Sequence, residues 1–239
     1  MSVNIGYGRT EMAEVATKES LKLNLYPPQS IGLPTINLAN KLVEISPGKM
    51  SKVFFTSSGS EANETAIKLT KSYFDRTGET NRVKIVSRRG SYHGATMGLS
   101  PLGHEILEPH QTIFPQFPTN VYVPLPIPSN CEFGATSPDE CTQKCIEATK
   151  KTILSNNPDT IAAFIADLIP TRPGAAIPGE GYWEQIREIC NEFGIILIVD
   201  EIVTAFGRTG KMFALEHWNI SPDILTLAKG ITSSYSPLA

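Results

Sequence analysis

Three short stretches of the chain hold residues whose types and spacing could do chemistry. Ser57-Ser58-Gly59-Ser60-Glu61 follows a short apolar run. A Gly-Ser turn that opens a helix offers free backbone N–H groups and a hydroxyl at the positive end of the helix dipole. That is a seat for an anion, phosphate above all; the plainer reading is that Ser58 or Ser60 only caps the helix. Asp200-Glu201 ends the apolar run Ile195–Val199. An acid there is partly desolvated and wants a cationic or donor partner, although a helix cap or a structural ion pair is an equally ordinary use. Lys229-Gly230 ends the run Ile224–Ala228. Desolvation there depresses the pKa of the amine and makes it a nucleophile at neutral pH; the commoner alternative is a lysine that snorkels to solvent. Each signal is weak alone. Together an anion seat, a buried carboxylate and an activated amine suit a phosphorylated aldehyde with a basic ring nitrogen. The amine makes the imine, the seat holds the phosphate, and the acid keeps the ring nitrogen protonated. Gly230 is expected to leave room for such a group to approach the backbone.

The elements that must hold these residues alternate along the chain. Arg9 to Asn24 is rich in helix formers, Pro27-Pro28 breaks the chain, and Pro34 opens a helix that runs to about Ile45 and ends at Pro47-Gly48. Val53–Thr56 reads as a strand, Ser60 to about Thr77 as a helix closed by Gly78, and Val83–Ser87 and Val121–Val123 as strands. Pro138 to about Leu154 is a helix with Ser137 as N-cap. Ile161–Ala166 is a strand, Gly181–Phe193 a helix, and Ile195–Val199 and Ile224–Ala228 are strands. The proline-rich stretch Pro101–Pro128 reads as a long ordered loop over one edge. Strands alternating with helices predict an α/β fold, a mostly parallel sheet with helices on both faces. Ligands of such sheets bind outside the carboxyl ends of the strands, where all three stretches fall.

Composition narrows the function classes. A net charge of -3 gives no electrostatic reason to expect nucleic acid or an anionic membrane as partner. The longest apolar runs, Ile161–Ala166 and Ile195–Val199, are too short to span a bilayer. Met1-Ser-Val-Asn-Ile has no signal-peptide pattern, so the expected location is cytoplasmic and the sequons at Asn63 and Asn219 are expected to be unmodified. Cys131, Cys141, Cys145 and Cys190 form no Cys-x-x-Cys pair, which argues against a zinc ribbon and leaves reduced thiols and no metal; Cys141 and Cys145 share one helix face. Neither a P-loop nor Gly-x-Gly-x-x-Gly occurs, and Gly207-Arg208-Thr209-Gly210-Lys211 has the wrong spacing for the former.

Longer motifs carry a family resemblance. They are Phe54-Phe55-Thr56-Ser57-Ser58-Gly59-Ser60-Glu61-Ala62-Asn63-Glu64-Thr65-Ala66, Tyr92-His93-Gly94-Ala95-Thr96, and Gly181-Tyr182-Trp183. Asp200-Glu201-Ile202-Val203-Thr204-Ala205-Phe206-Gly207-Arg208-Thr209-Gly210 and Pro222-Asp223-Ile224-Leu225-Thr226-Leu227-Ala228-Lys229-Gly230 complete the set. The chain resembles the class III aminotransferases, fold type I enzymes that use pyridoxal 5'-phosphate, from Gly6 to Ala239. The resemblance implies that Lys229 carries the cofactor as a Schiff base and Asp200 pairs with the pyridinium nitrogen. It further implies that Gly59 and Ser60 hold the phosphate, Tyr92 stacks on one ring face, Ile202 packs on the other, and His93 and Val203 border the cofactor. The implied reaction moves an amino group from a small-molecule amine or ω-amino acid to a keto acid, pyruvate foremost, with Lys229 relaying the proton, in a homodimer.

Three departures qualify this. Many relatives carry Gln at position 203, where Val203 cannot reach the cofactor's phenolic oxygen; an apolar residue there resembles the branch that pairs pyruvate with ω-amino acids, taurine or amines. Asp167-Leu168 stands where the family usually has Glu-Pro. Finally the chain stops ten residues past Lys229, where the family continues with another strand, a threonine motif and a small domain. The expected organisation is therefore a partial N-terminal segment, 1–33, and a large cofactor domain, 34–239, without its C-terminal part. Alternatives in view are a glutamate-1-semialdehyde aminomutase-like enzyme and a non-catalytic fragment that only binds the cofactor.

Overall fold

A computed structural model describes the chain except Pro28, residues 104–116, Pro173 and Asn219. Among the described residues five strands make one sheet: β1 (Lys84–Arg88), β2 (Asn120–Val123), β3 (Ile161–Asp167), β4 (Ile196–Asp200) and β5 (Ile224–Thr226). All four pairings are parallel, in the order β2-β1-β3-β4-β5. β3 lies at the centre with six of its seven residues buried, which is why it reads as an unbroken apolar run and not as an alternation.

Side chains alternate across the sheet and meet helices on each face. On one side Phe164, Ala166, Leu197 and Val199 pack with α4 (Pro138–Ser155) and α5 (Tyr182–Phe193) through Cys145, Ile153, Trp183 and Ile186. On the other side Ala163, Ile165 and Ile198 pack with α3 (Gly59–Arg76) through Ala66 and Phe74, and with Leu99 and Leu102 of the segment after β1. Each fully buried Val, Leu, Ile or Phe side chain among them contributes about 1.5–3 kcal/mol. Helices on both faces of a parallel sheet are the architecture that the alternating pattern predicts. Two further helices, α1 (Thr10–Lys22) and α2 (Leu33–Ile45), precede this body, and α1 buries no residue.

Caps fix the helix starts near the site. Ser58 Oγ accepts the Glu61 N–H at 3.3 Å, and Ser137 Oγ accepts the Glu140 N–H at 3.2 Å. Gly194 closes α5 with a φ of 64°, a left-handed value that glycine adopts without strain.

Three expectations need correction. Val53–Thr56 is not a strand: Thr56 exchanges two 2.8 Å hydrogen bonds with Ala239, and a groove lined by Val53, Thr56, Ile224 and Thr226 separates the segment from β5. β5 ends at Thr226, not at Ala228, because its partner β4 ends at Asp200, the residue in register with Thr226. Pro101–Pro128 contains a turn of 3-10 helix (Ser100–Gly103) and β2, the outermost strand on that side; its stretch 104–116 lies outside the described residues. The other elements differ from the sequence reading by one or two residues at their ends.

Candidate active site

The carboxyl ends of three neighbouring strands are in register: Asp167 of β3 faces Asp200 of β4, and Asp200 faces Thr226 of β5. Above them lies a cavity of about 470 Å³. It is lined by Gly59 and Ser60 from the start of α3, Tyr92, His93 and Gly94 from the loop after β1, and Asp167, Asp200, Ile202, Val203 and Lys229. All eight residues singled out from the sequence therefore share one cavity. The segment Thr232–Leu238 supplies further wall that no sequence signal pointed to.

Asp200 is 4% exposed and heavily solvated by protein donors. Its Oδ2 accepts from Asn63 Nδ2 at 2.7 Å and faces His93 Nδ1 at 3.0 Å; its Oδ1 accepts the Ile202 N–H at 3.0 Å. A carboxylate only accepts, so His93 carries its proton on Nδ1 toward Asp200. His93 Nε2 is buried with no partner among the described residues.

Lys229 lies just past the sheet and not at a strand end. Leu227 and Ala228 lead on from the end of β5, and Lys229 opens a 3-10 turn with φ +45°. A non-glycine residue in that region stores about 1–3 kcal/mol of strain. Burial lowers the pKa of its amine, while Asp200 acts in the opposite direction by favouring the cation. Gly230 does not make room for a ligand. A Cβ there would lie 2.6 Å from Asn4 Nδ2 and 3.1 Å from Phe206 Cβ, so the space is taken by the chain itself.

Helix α3 opens the cavity wall. The Glu61 N–H is capped by Ser58 Oγ and the Ala62 N–H by Ser58 O, so both sequence readings of this turn hold at once. The Gly59 and Ser60 N–H groups precede the first intrahelical bond and have no acceptor among the described residues. Ser60 Oγ accepts the Ala95 N–H at 3.2 Å. A Cβ at Gly59 would meet Ile202 Cδ1 at 2.8 Å, so a side chain there would push the Ile202 side chain out of its place in the cavity wall. Tyr92 is exposed toward the cavity, with the Arg172 guanidinium 5.9 Å from its ring centroid.

The two acids that neighbour Asp200 are held differently. Asp167 Oδ1 accepts from Arg88 Nη2 at 3.0 Å and Ser91 Oγ at 2.9 Å, and Arg88 itself is fully buried with its guanidinium 4.7 Å over Trp183. Glu201 is structural: it accepts the Ala214 and Leu215 N–H groups at 2.8 and 2.9 Å and the Thr204 hydroxyl at 2.9 Å. Burial pushes its carboxyl above the usual carboxylate range against those donors.

Sequence reasoning missed Asn63. It is fully buried on the stripe Asn63, Ala66, Thr70, Phe74 of α3, so an amide on the inward face of that helix was the available signal.

A family model described as aminotransferase class-III matches residues 1–239. The chain belongs to the class-III aminotransferase family. It is 36% identical to a putrescine–pyruvate aminotransferase of Pseudomonas aeruginosa, covering 99% of this chain and 52% of that protein. It is 34% identical to a taurine–pyruvate aminotransferase of Bilophila wadsworthia, covering 100% of this chain and 51% of that protein. A solved (S)-enantioselective omega-transaminase of Thermomicrobium roseum superposes with a TM-score of 0.92 at 38% identity, over 99% of this chain and 53% of that one. The chain spans about half the length of the curated relatives it matches.

Proposed function

We propose that this chain carries the cofactor site of a transaminase that moves an amino group from an amine or ω-amino acid to a keto acid, pyruvate foremost, with pyridoxal phosphate as cofactor. One observation carries the reading: the Lys229 amine, the Asp200 carboxylate and the open N–H groups of Gly59 and Ser60 converge on a single cavity.

The residues suit the cofactor. Gly59 and Ser60 offer a hydroxyl and two N–H groups without an acceptor among the described residues to a phosphate at a helix N-terminus. Asp200 keeps an acceptor position for a ring N–H. When bound, pyridoxal phosphate supplies an aldehyde that condenses with amines and a ring that accepts electrons. Lys229, half out of water, keeps more of its amine neutral near pH 7 than an exposed lysine does, and once free it accepts the proton of the substrate's amine-bearing carbon. Tyr92, Ile202 and Val203 all line the cavity; Tyr92 and Ile202 would pack against the faces of a ring held there, and Val203 would add no polar group to its surroundings. The named relatives favour a keto-acid partner over an aminomutase-like reaction.

Residues 34–239 then form the large domain, and 1–33 a segment with little core of its own. Homodimerisation is part of the same reading. It is supported by the apolar side chains that the N-terminal region leaves in solvent, among them Tyr7, Leu21, Leu25 and Leu33. Four free thiols support a reducing, cytoplasmic location.

The test is a half-reaction. Adding putrescine or taurine to the loaded protein should discharge its imine absorption, and pyruvate should restore it; Lys229→Ala should abolish both. Turnover retained by Lys229→Ala would overturn the reading.

A further inference from the structure

Asn63 is fully buried and does not line the cavity, yet it makes a hydrogen bond with each of three segments that build the site. Its Nδ2 lies 2.7 Å from Asp200 Oδ2 and 2.7 Å from the carbonyl oxygen of His93. Its Oδ1 accepts the Thr226 hydroxyl at 2.7 Å. The orientation of the amide is fixed by chemistry: a backbone carbonyl and a carboxylate can only accept, so the nitrogen must face both. Thr226 then has only Oδ1 to donate to.

The count at Asp200 follows. A carboxylate offers about four lone-pair sites. Asn63 and His93 occupy both sites of Oδ2, and the Ile202 N–H takes one of Oδ1. One acceptor position remains, on the oxygen that Asn63 does not touch. Resting on the reading that the cavity holds pyridoxal phosphate, we infer that Asn63 is a positioning residue. By saturating Oδ2 and anchoring the Tyr92–His93 loop to the same acid, it directs the free site of Asp200 Oδ1 to the ring nitrogen, and Thr226 holds Asn63 in the orientation that does so.

This role acts only through the ring nitrogen, which separates it from a general contribution to folding. The experiment compares binding of pyridoxal phosphate with binding of its deaza analogue, in which carbon replaces that nitrogen, by absorbance titration of the unliganded chain. Wild type should prefer pyridoxal phosphate, and Asp200→Ala should erase the preference. Asn63→Ala should reduce the preference about tenfold, the scale of one hydrogen bond to a charged group, with little change for the analogue. Thr226→Val keeps shape and β-branching and should reduce it in the same direction by a smaller factor, which covers the case in which Asn63→Ala does not fold. Equal weakening of both ligands, or an unchanged preference in Thr226→Val, would overturn the positioning role while leaving the cofactor site standing. A wild type with no preference for the ring nitrogen would instead remove the reading of Asp200, and the inference with it.

Discussion

Lys229 combines two unfavourable features at one position: a φ of +45° and an amine half withdrawn from water. Both are tolerated because the surrounding turn over-determines them, and strain of this kind gathers at functional sites. The depressed pKa has a stability consequence. A base whose folded-state pKa lies below its unfolded value of about 10.4 binds protons less readily when folded, so it destabilises the unliganded protein wherever the unfolded chain is protonated. That penalty is complete below the folded pKa and disappears as pH rises past about 10.4. Lys229→Met, which keeps the backbone strain but removes the charge, should therefore raise the urea midpoint of the unliganded protein at neutral pH, with the gain fading toward strongly alkaline pH. A midpoint lowered at neutral pH would contradict the desolvation of this amine. At the same scale, Lys229 and Asp200 were legible because each follows an apolar run. Asn63 was not, because an asparagine in a helix carries no signal until the helix's inward face is known.

Among elements, the two ends of the sheet do different work. At the carboxyl ends Asp167, Asp200 and Thr226 stand in register and define the site. At the amino ends Arg82 ties the body together: its Nη1 donates to the carbonyls of Ile161, Phe193 and Pro158 at 2.9, 3.2 and 3.4 Å, and its guanidinium covers the Phe74 ring at 5.0 Å. Arg82→Ala should cost about 2–3 kcal/mol in denaturant unfolding, since it strands carbonyls that a charged donor satisfied, and should leave pyridoxal phosphate affinity unchanged. A loss of affinity without loss of stability would contradict this division. The helices and central strands were legible because caps and apolar runs announce them. Val53–Thr56 and the end of β5 were misread because a strand is defined by its neighbour: an apolar run says that a segment is buried or extended, not that a partner lies beside it.

For the whole molecule, the N-terminal region exposes Tyr7, Leu21, Leu25 and Leu33 beside a fully packed sheet, and in the proposed function this is the face on which a second copy would pack. Sedimentation should find a dimer at micromolar concentration; a folded monomer throughout that range would count against it. Lys229, Asp200 and the start of α3 meet in one cavity within a single chain, so cofactor attachment can be tested on the chain directly. Pyridoxal phosphate is added, the imine is reduced with borohydride, and the site of attachment is located by peptide mass spectrometry. A single modified lysine is expected, Lys229, lost in Lys229→Ala; stoichiometric attachment at any other lysine, or none at all, would rule out Lys229 as the cofactor's anchor.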